Sequence, residues 1–141
     1  MSKFIPIDET DYLVIGHLAR DETPDGPRLG GTAAYSALTA RALGLRVGIL
    51  TSCQTETSLS VLEGIRVIAI PSYETTTFEN IITPDGREQI LHHLAAPITF
   101  GHIPEVWRRT PIIHLGPVAN EIESQLPAGF SPALLGLTPQ G

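Results

Sequence analysis

Asp21 and the run Gly30-Gly31-Thr32-Ala33-Ala34-Tyr35 are the residues of this chain whose types and spacing could do chemistry. A carboxylate accepts hydrogen bonds from ligand hydroxyls, which suits Asp21 to a sugar or ribose. Adjacent glycines let a backbone approach a ligand closely, and a helix opening after them aims unpaired N–H groups at whatever binds there. Thr32 and Tyr35 fall in the first turn of that helix and are candidates for the same ligand. On the residues alone, Asp21 also fits a solvated loop in the stretch Asp21-Glu22, and Gly30-Gly31 fits a turn that needs a positive φ.

These residues must be positioned by the elements around them. Short apolar runs at Tyr12 to Gly16, Val47 to Thr51, Val67 to Ile70, Ile112 to Leu115 and Ala133 to Leu137 read as parallel strands buried on both faces. The first strand is expected to end in a loop that carries Asp21. A helix is predicted over Thr32 to Leu43, from Ala34, Ala37, Leu38, Ala42 and Leu43 at helical spacing, ending at Gly44. Strand, crossover helix and strand then make a right-handed βαβ unit. Leu59 to Leu62, Pro104 to Arg108 and Glu121 to Leu126 carry weaker helical signals, fit for single turns, and Asn120-Glu121-Ile122-Glu123 reads as a helix start. No internal repeat is apparent.

One segment departs from the parallel pattern. Thr75 to Ile82 and Arg87 to Leu94 flank Thr83-Pro84-Asp85-Gly86, and Asp-Gly between β-rich runs signals a hairpin. Its strand alternation puts Thr77, Glu79 and Ile81 on one face and Phe78, Asn80 and Ile82 on the other. Such a hairpin is either a lid or pairing edge, or a plain antiparallel extension of the sheet. The last strand is followed by only a few residues and no covering helix, so the chain reads as cut short or completed by a partner.

Length and composition fit one soluble α/β domain spanning residues 1–141, with 42% hydrophobic and 17% charged residues. Nine Lys and Arg against fifteen Asp and Glu, with scattered cations and 6% aromatics, argue against nucleic acid and favour a small-molecule ligand. Cys53 is the only cysteine, which rules out an intramolecular disulfide. No secretion signal and no membrane-spanning run is visible, so a cytoplasmic protein without membrane association is expected.

Familiar catalytic motifs are missing. Gly-x-Gly-x-x-Gly, the P-loop pattern and the Gly-x-Ser-x-Gly elbow do not occur. His17, His92, His93, His102 and His114 fall in different elements, so no metal site is expected. His114, inside an apolar strand, reads as a hydrogen-bonded core histidine.

Taken together, the strand ending in Gly16, Asp21 five positions on, Gly30-Gly31 opening a helix that ends Arg41-Ala42-Leu43-Gly44, and the hairpin with Asp85-Gly86-Arg87 resemble a ribokinase-like (PfkB-type) carbohydrate kinase. The resemblance covers essentially the whole chain and the first half of the family's usual length. It implies a Rossmann-like, mostly parallel sheet with flanking helices and a β-hairpin lid, incomplete at the C-terminus. It also implies phosphoryl transfer to a sugar or nucleoside hydroxyl with ATP and magnesium, and a homodimer through the hairpin or the exposed strand. Asp21 matches the family's hydroxyl-binding aspartate, and Gly30 and Gly31 match the glycine pair that closes over the sugar. Tyr35 stands where many members have a ligand-contacting Asn. Only Glu22 to Leu29 separates Asp21 from the glycines, so the first lid insertion should be reduced. Cys53-Gln54-Thr55-Glu56-Thr57 replaces the family's Gly-Asp segment.

The family's Gly-Ala-Gly-Asp motif, which supplies the catalytic base and anion-hole amides, does not occur. The expectation is therefore a substrate-binding portion without catalytic residues, inactive alone and binding no cofactor alone. The rival is a non-enzymatic α/β module that binds a small molecule or assembles with a partner chain, and a small nucleotide-binding regulatory domain is a third reading.

Overall fold

The computed structural model describes residues 6–140. Its larger sheet is five-stranded and parallel, in the order β5-β4-β1-β8-β9. The strands are β1 (Tyr12–Ile15), β4 (Val47–Cys53), β5 (Arg66–Pro71), β8 (Ile112–Leu115) and β9 (Leu134–Leu137). Between β1 and β4 runs the helix α1 (Thr32–Ala42), followed by Leu43 and then Gly44 at φ 86°, the left-handed position that ends it.

Alternation along the strands builds a core on each side of this sheet. Leu13 and Ile15 of β1 pack with Leu50, Ile113, Leu115, Trp107 and Leu126 on one face. Val14 faces the other way, against Ala33, Ala37 and Ala40 of α1 and Ile49 of β4. An alanine-lined helix face lets α1 lie close to the sheet, and its side chains lose little rotamer entropy on burial. Leu43, which the helical spacing placed on that face, is 76% exposed just past the helix end.

Several expectations change. β5 and β9 are not buried on both faces: each has one neighbour, and Leu134 and Leu137 of β9 are each 60% exposed. Asn120 to Glu123 starts no helix. Asn120 adopts φ 57°, Ile122 bridges to Ile98, and the helical turn begins only at Leu126. The other weak helical signals are single 3-10 turns at Ser60–Leu62 and Glu105–Arg109. His114 is half-buried rather than core: its Nδ1 meets the Tyr12 hydroxyl, its Nε2 lies 2.7 Å from Thr138 Oγ1, and burial lowers its pKa.

The largest correction concerns Asp21. It lies in a strand, not a loop, and the insertion around it is a complete hairpin of β2 (Ala19–Thr23) and β3 (Gly26–Gly30). The expected second hairpin is present as β6 (Thr77–Thr83) and β7 (Gly86–His93). A parallel pairing of β2 with β6 joins the two into a four-stranded sheet, β3-β2-β6-β7. Both turns use the same tetrapeptide, Thr23-Pro24-Asp25-Gly26 and Thr83-Pro84-Asp85-Gly86, so the chain does repeat a local unit. In each, the threonine hydroxyl donates to the glycine carbonyl, at 2.6 Å and 2.9 Å. Among the described residues no helix is long and apolar enough to cross a membrane.

Candidate functional site

The four-stranded sheet and the start of α1 enclose a cleft of about 430 Å³. Asp21, Gly31, Thr32 and Tyr35, all predicted from sequence, line it together. The cleft lies where the chain leaves the carboxyl end of β1, the side on which open α/β sheets bind ligands. A second cavity, of about 500 Å³, sits by Thr10, Asp11 and Arg46 at the amino ends of the strands and contains none of the predicted residues.

Gly31 adopts φ 91° as the helix N-cap, and no side chain caps α1. The first N–H groups of the helix therefore lack side-chain acceptors beside Thr32, at the edge of the cleft. A Cβ on Gly31 would stand 2.8 Å from the His17 carbonyl oxygen, so both space and φ demand glycine here. Gly30 does not line the cleft. It is buried under Asp21, where a Cβ would stand 2.1 Å from Asp21 Oδ2, so its role is to leave room for that carboxylate. Tyr35 is 62% exposed at the rim.

Burial raises the pKa of Asp21, and the positive charge of Arg87 opposes part of that rise. Arg87, with Asn80, Gln89 and Phe78, comes from the second hairpin and faces Asp21 across the cleft. Gln89 Nε2 donates to Asn80 Oδ1 at 3.1 Å, and Gln140 Nε2 donates to Gln89 Oε1 at 3.4 Å. Sequence reasoning assigned no ligand role to these residues. The period-two reading of Phe78 and Asn80 marked the correct face; Gln140 carried no signal.

The four-stranded sheet is pinned by a buried histidine. His17 Nε2 lies 2.8 Å from the Ala96 carbonyl oxygen, which can only accept, so this nitrogen carries the proton. Nδ1 then accepts from the Thr76 hydroxyl at 2.7 Å, and the same hydroxyl oxygen accepts from Ala95 N–H at 3.0 Å. Glu121, also buried, accepts from His17 N–H at 2.9 Å and from Val118 N–H at 2.7 Å. Burial lowers the pKa of His17, which keeps the ring neutral against the attraction of Glu121. These contacts fasten the entries to β2 and β6 and the exit from β7 to the end of β1.

What these residues can do is bind and orient a hydroxylated ligand. Among the described residues no three His, Cys, Asp or Glu converge in a group that could hold a metal ion.

No family model matches the chain. It is 29% identical over 129 residues to a cytidine kinase of Thermococcus kodakarensis, covering 82% of this chain and 46% of that protein. Among solved structures, a pyrophosphate-dependent myo-inositol-1 kinase converted into a myo-inositol-3 kinase aligns at TM-score 0.74 and 22% identity. That alignment spans 92% of this chain and 48% of the other. A ribokinase of Arabidopsis thaliana complexed with ribose and ATP aligns at TM-score 0.63 and 15% identity, over 95% of this chain and 55% of its own. The chain thus spans about half the length of the proteins it matches, and its fold is that part of a ribokinase-like α/β domain.

Proposed function

We propose that this chain is the acceptor-binding portion of a ribokinase-type kinase, one that transfers a phosphoryl group to a hydroxyl of a sugar, polyol or nucleoside. One observation carries the reading: Asp21, Gly31, Thr32 and Tyr35 share one cleft beneath a four-stranded lid. The similarity to sugar, inositol and cytidine kinases supports it. The Asp21 carboxylate accepts hydrogen bonds from ligand hydroxyls, while the α1 amides and Tyr35 border the same space. Phosphoryl transfer is catalysed by positioning and charge stabilisation around the phosphate. The 141 residues contain no Gly-Ala-Gly-Asp to supply these, so binding rather than turnover is expected of this stretch alone.

Calorimetric titration with D-ribose, myo-inositol and cytidine tests the reading. At least one should bind, and Asp21→Asn should weaken it about tenfold or more, the scale of a charge-assisted hydrogen bond. Unchanged affinity in both Asp21→Asn and Gly31→Val would sink it.

A second reading, assembly between copies, is favoured by open strand edges. Every residue of β7 is exposed, and β9 presents Leu134, Leu135 and Leu137. Such edges recruit other strands. Sedimentation over a range of concentrations decides it, since a strict monomer at the highest concentration contradicts the pairing.

A further inference from the structure

We propose that the ligand of the Asp21 cleft is an anionic sugar, a hydroxylated ring bearing a carboxylate or phosphate, and that Arg87 selects it. This rests on reading the cleft as the acceptor site.

The lid sets its basic side chains beside acidic ones, with one exception. Arg20 Nε pairs with Glu22 at 3.0 Å, and Arg28 lies 3.9 Å from Asp25. His92 stands 3.6 Å from Glu79, and His93 stands 3.6 Å from Glu74. Each of these basic side chains has an acidic neighbour. Arg87 alone among the described basic residues of the lid strands makes no ion pair and no side-chain hydrogen bond, and it is the one that lines the cleft. Its cross-strand neighbour is Ile82, 86% exposed, so nothing on that side neutralises or buries the guanidinium.

The amides beside it are already engaged. Asn80, Gln89 and Gln140 form a chain of donors and acceptors with one another. That leaves an unpaired carboxylate and an unpaired guanidinium as the charged groups of the cleft, near enough for Arg87 to influence Asp21 yet not joined as an ion pair. A neutral polyol would satisfy Asp21 and leave Arg87 to water. A ring with hydroxyls at one end and an anion at the other satisfies both, because a guanidinium binds carboxylate or phosphate through a fork of parallel N–H donors. In a chain of net charge −6, an unpaired arginine also marks where an anion would be drawn in.

D-glucose, D-glucuronate and D-glucose 6-phosphate share one ring and differ at C6, so calorimetric titration of the chain with all three isolates the anion. At least one anion should bind about tenfold tighter than glucose, with the preference shrinking as salt is raised. Whichever anion shows the larger preference identifies carboxylate or phosphate as its source. Arg87→Gln should bring the anion-to-glucose ratio toward one. Equal binding of glucose and both anions by the unsubstituted chain overturns the inference, as does an unchanged ratio in Arg87→Gln. Should that variant fail to fold by circular dichroism, the ratio and salt dependence of the unsubstituted chain decide the matter. Neutral ligands binding while neither anion does overturns only this inference. No binding of any sugar, inositol or nucleoside overturns the acceptor reading beneath it.

Discussion

Gly30→Ala should impair the site while leaving the fold intact. Gly30 is buried within β3, and the first obstacle to a Cβ there is the Asp21 carboxylate, with Oδ2 at 2.1 Å and Cγ at 3.0 Å. No backbone atom is among the nearest neighbours, and the φ of Gly30 lies outside the left-handed region, so the added methyl is accommodated by rotating Asp21 away. Replacing glycine where alanine is compatible contributes about 0.4–1 kcal/mol through the unfolded chain, which offsets part of the crowding. Folding stability by urea titration should therefore stay within about 1 kcal/mol of the original chain. On the proposed reading binding should suffer more, since each charge-assisted hydrogen bond that Asp21 accepts from a ligand hydroxyl is worth about 1.5–3 kcal/mol. Losing one or both lowers affinity about 10- to 100-fold or more. A double-mutant cycle isolates the cause: in an Asp21→Ala background, Gly30→Ala should cost no further affinity. Wild-type affinity in Gly30→Ala, or a full loss that persists without Asp21, would refute this reasoning.

The lid pin makes two further predictions. Thr76→Val strands both His17 Nδ1 and Ala95 N–H in a buried site, so it should destabilise the chain by at least about 2 kcal/mol, while Thr76→Ser keeps most of that stability. Urea midpoints read this directly, and a valine variant as stable as the serine variant contradicts the assigned hydrogen bonds. Because burial depresses the pKa of His17, the unfolded chain takes up the proton more readily. Stability from this residue is thus complete above its ordinary value of 6.5 and is lost as pH falls through the lower folded value. Thermal melts just below pH 6.5 should show a shallower pH dependence for His17→Gln than for the original chain, and His114, shifted the same way, contributes to the slope that remains. Identical slopes would show that His17 is not buried neutral.

Much of the frame was legible in the residues. The runs of β1 and β4 are buried in the middle of a parallel sheet, where the pattern is continuous, while β8 buries Ile113 and Leu115 on one face and leaves Ile112 and His114 half-buried on the other. α1 was marked by spacing and by Gly44, and the β6-β7 hairpin by Asp85-Gly86. The same dipeptide at Asp25-Gly26 announced the β2-β3 hairpin, but Arg20-Asp21-Glu22 in β2 and Pro27-Arg28 in β3 offer no apolar alternation to support it. A lid strand with one face to a cleft and the other to solvent has little reason to be apolar, so its sequence reads as loop.

The sequence alone determined the types of group available: a carboxylate, a glycine pair and a helix start within one short stretch, in a chain with the strand pattern of an α/β protein. Local chemistry suffices for that, because residue type, apolar periodicity and the positive φ of turn glycines are written in windows of a few residues. Only the tertiary structure decided that Arg87 faces Asp21, that Gly30 gives space to a carboxylate rather than a ligand, and that His17, Thr76 and Glu121 meet at the base of the lid. Gly30 meets Asp21 through the pairing of β2 with β3, while Arg87 is brought to Asp21 by the parallel pairing of β2 with β6, which joins residues more than fifty positions apart. Such a register is set by the packing of the whole sheet and has no expression in any short window of sequence.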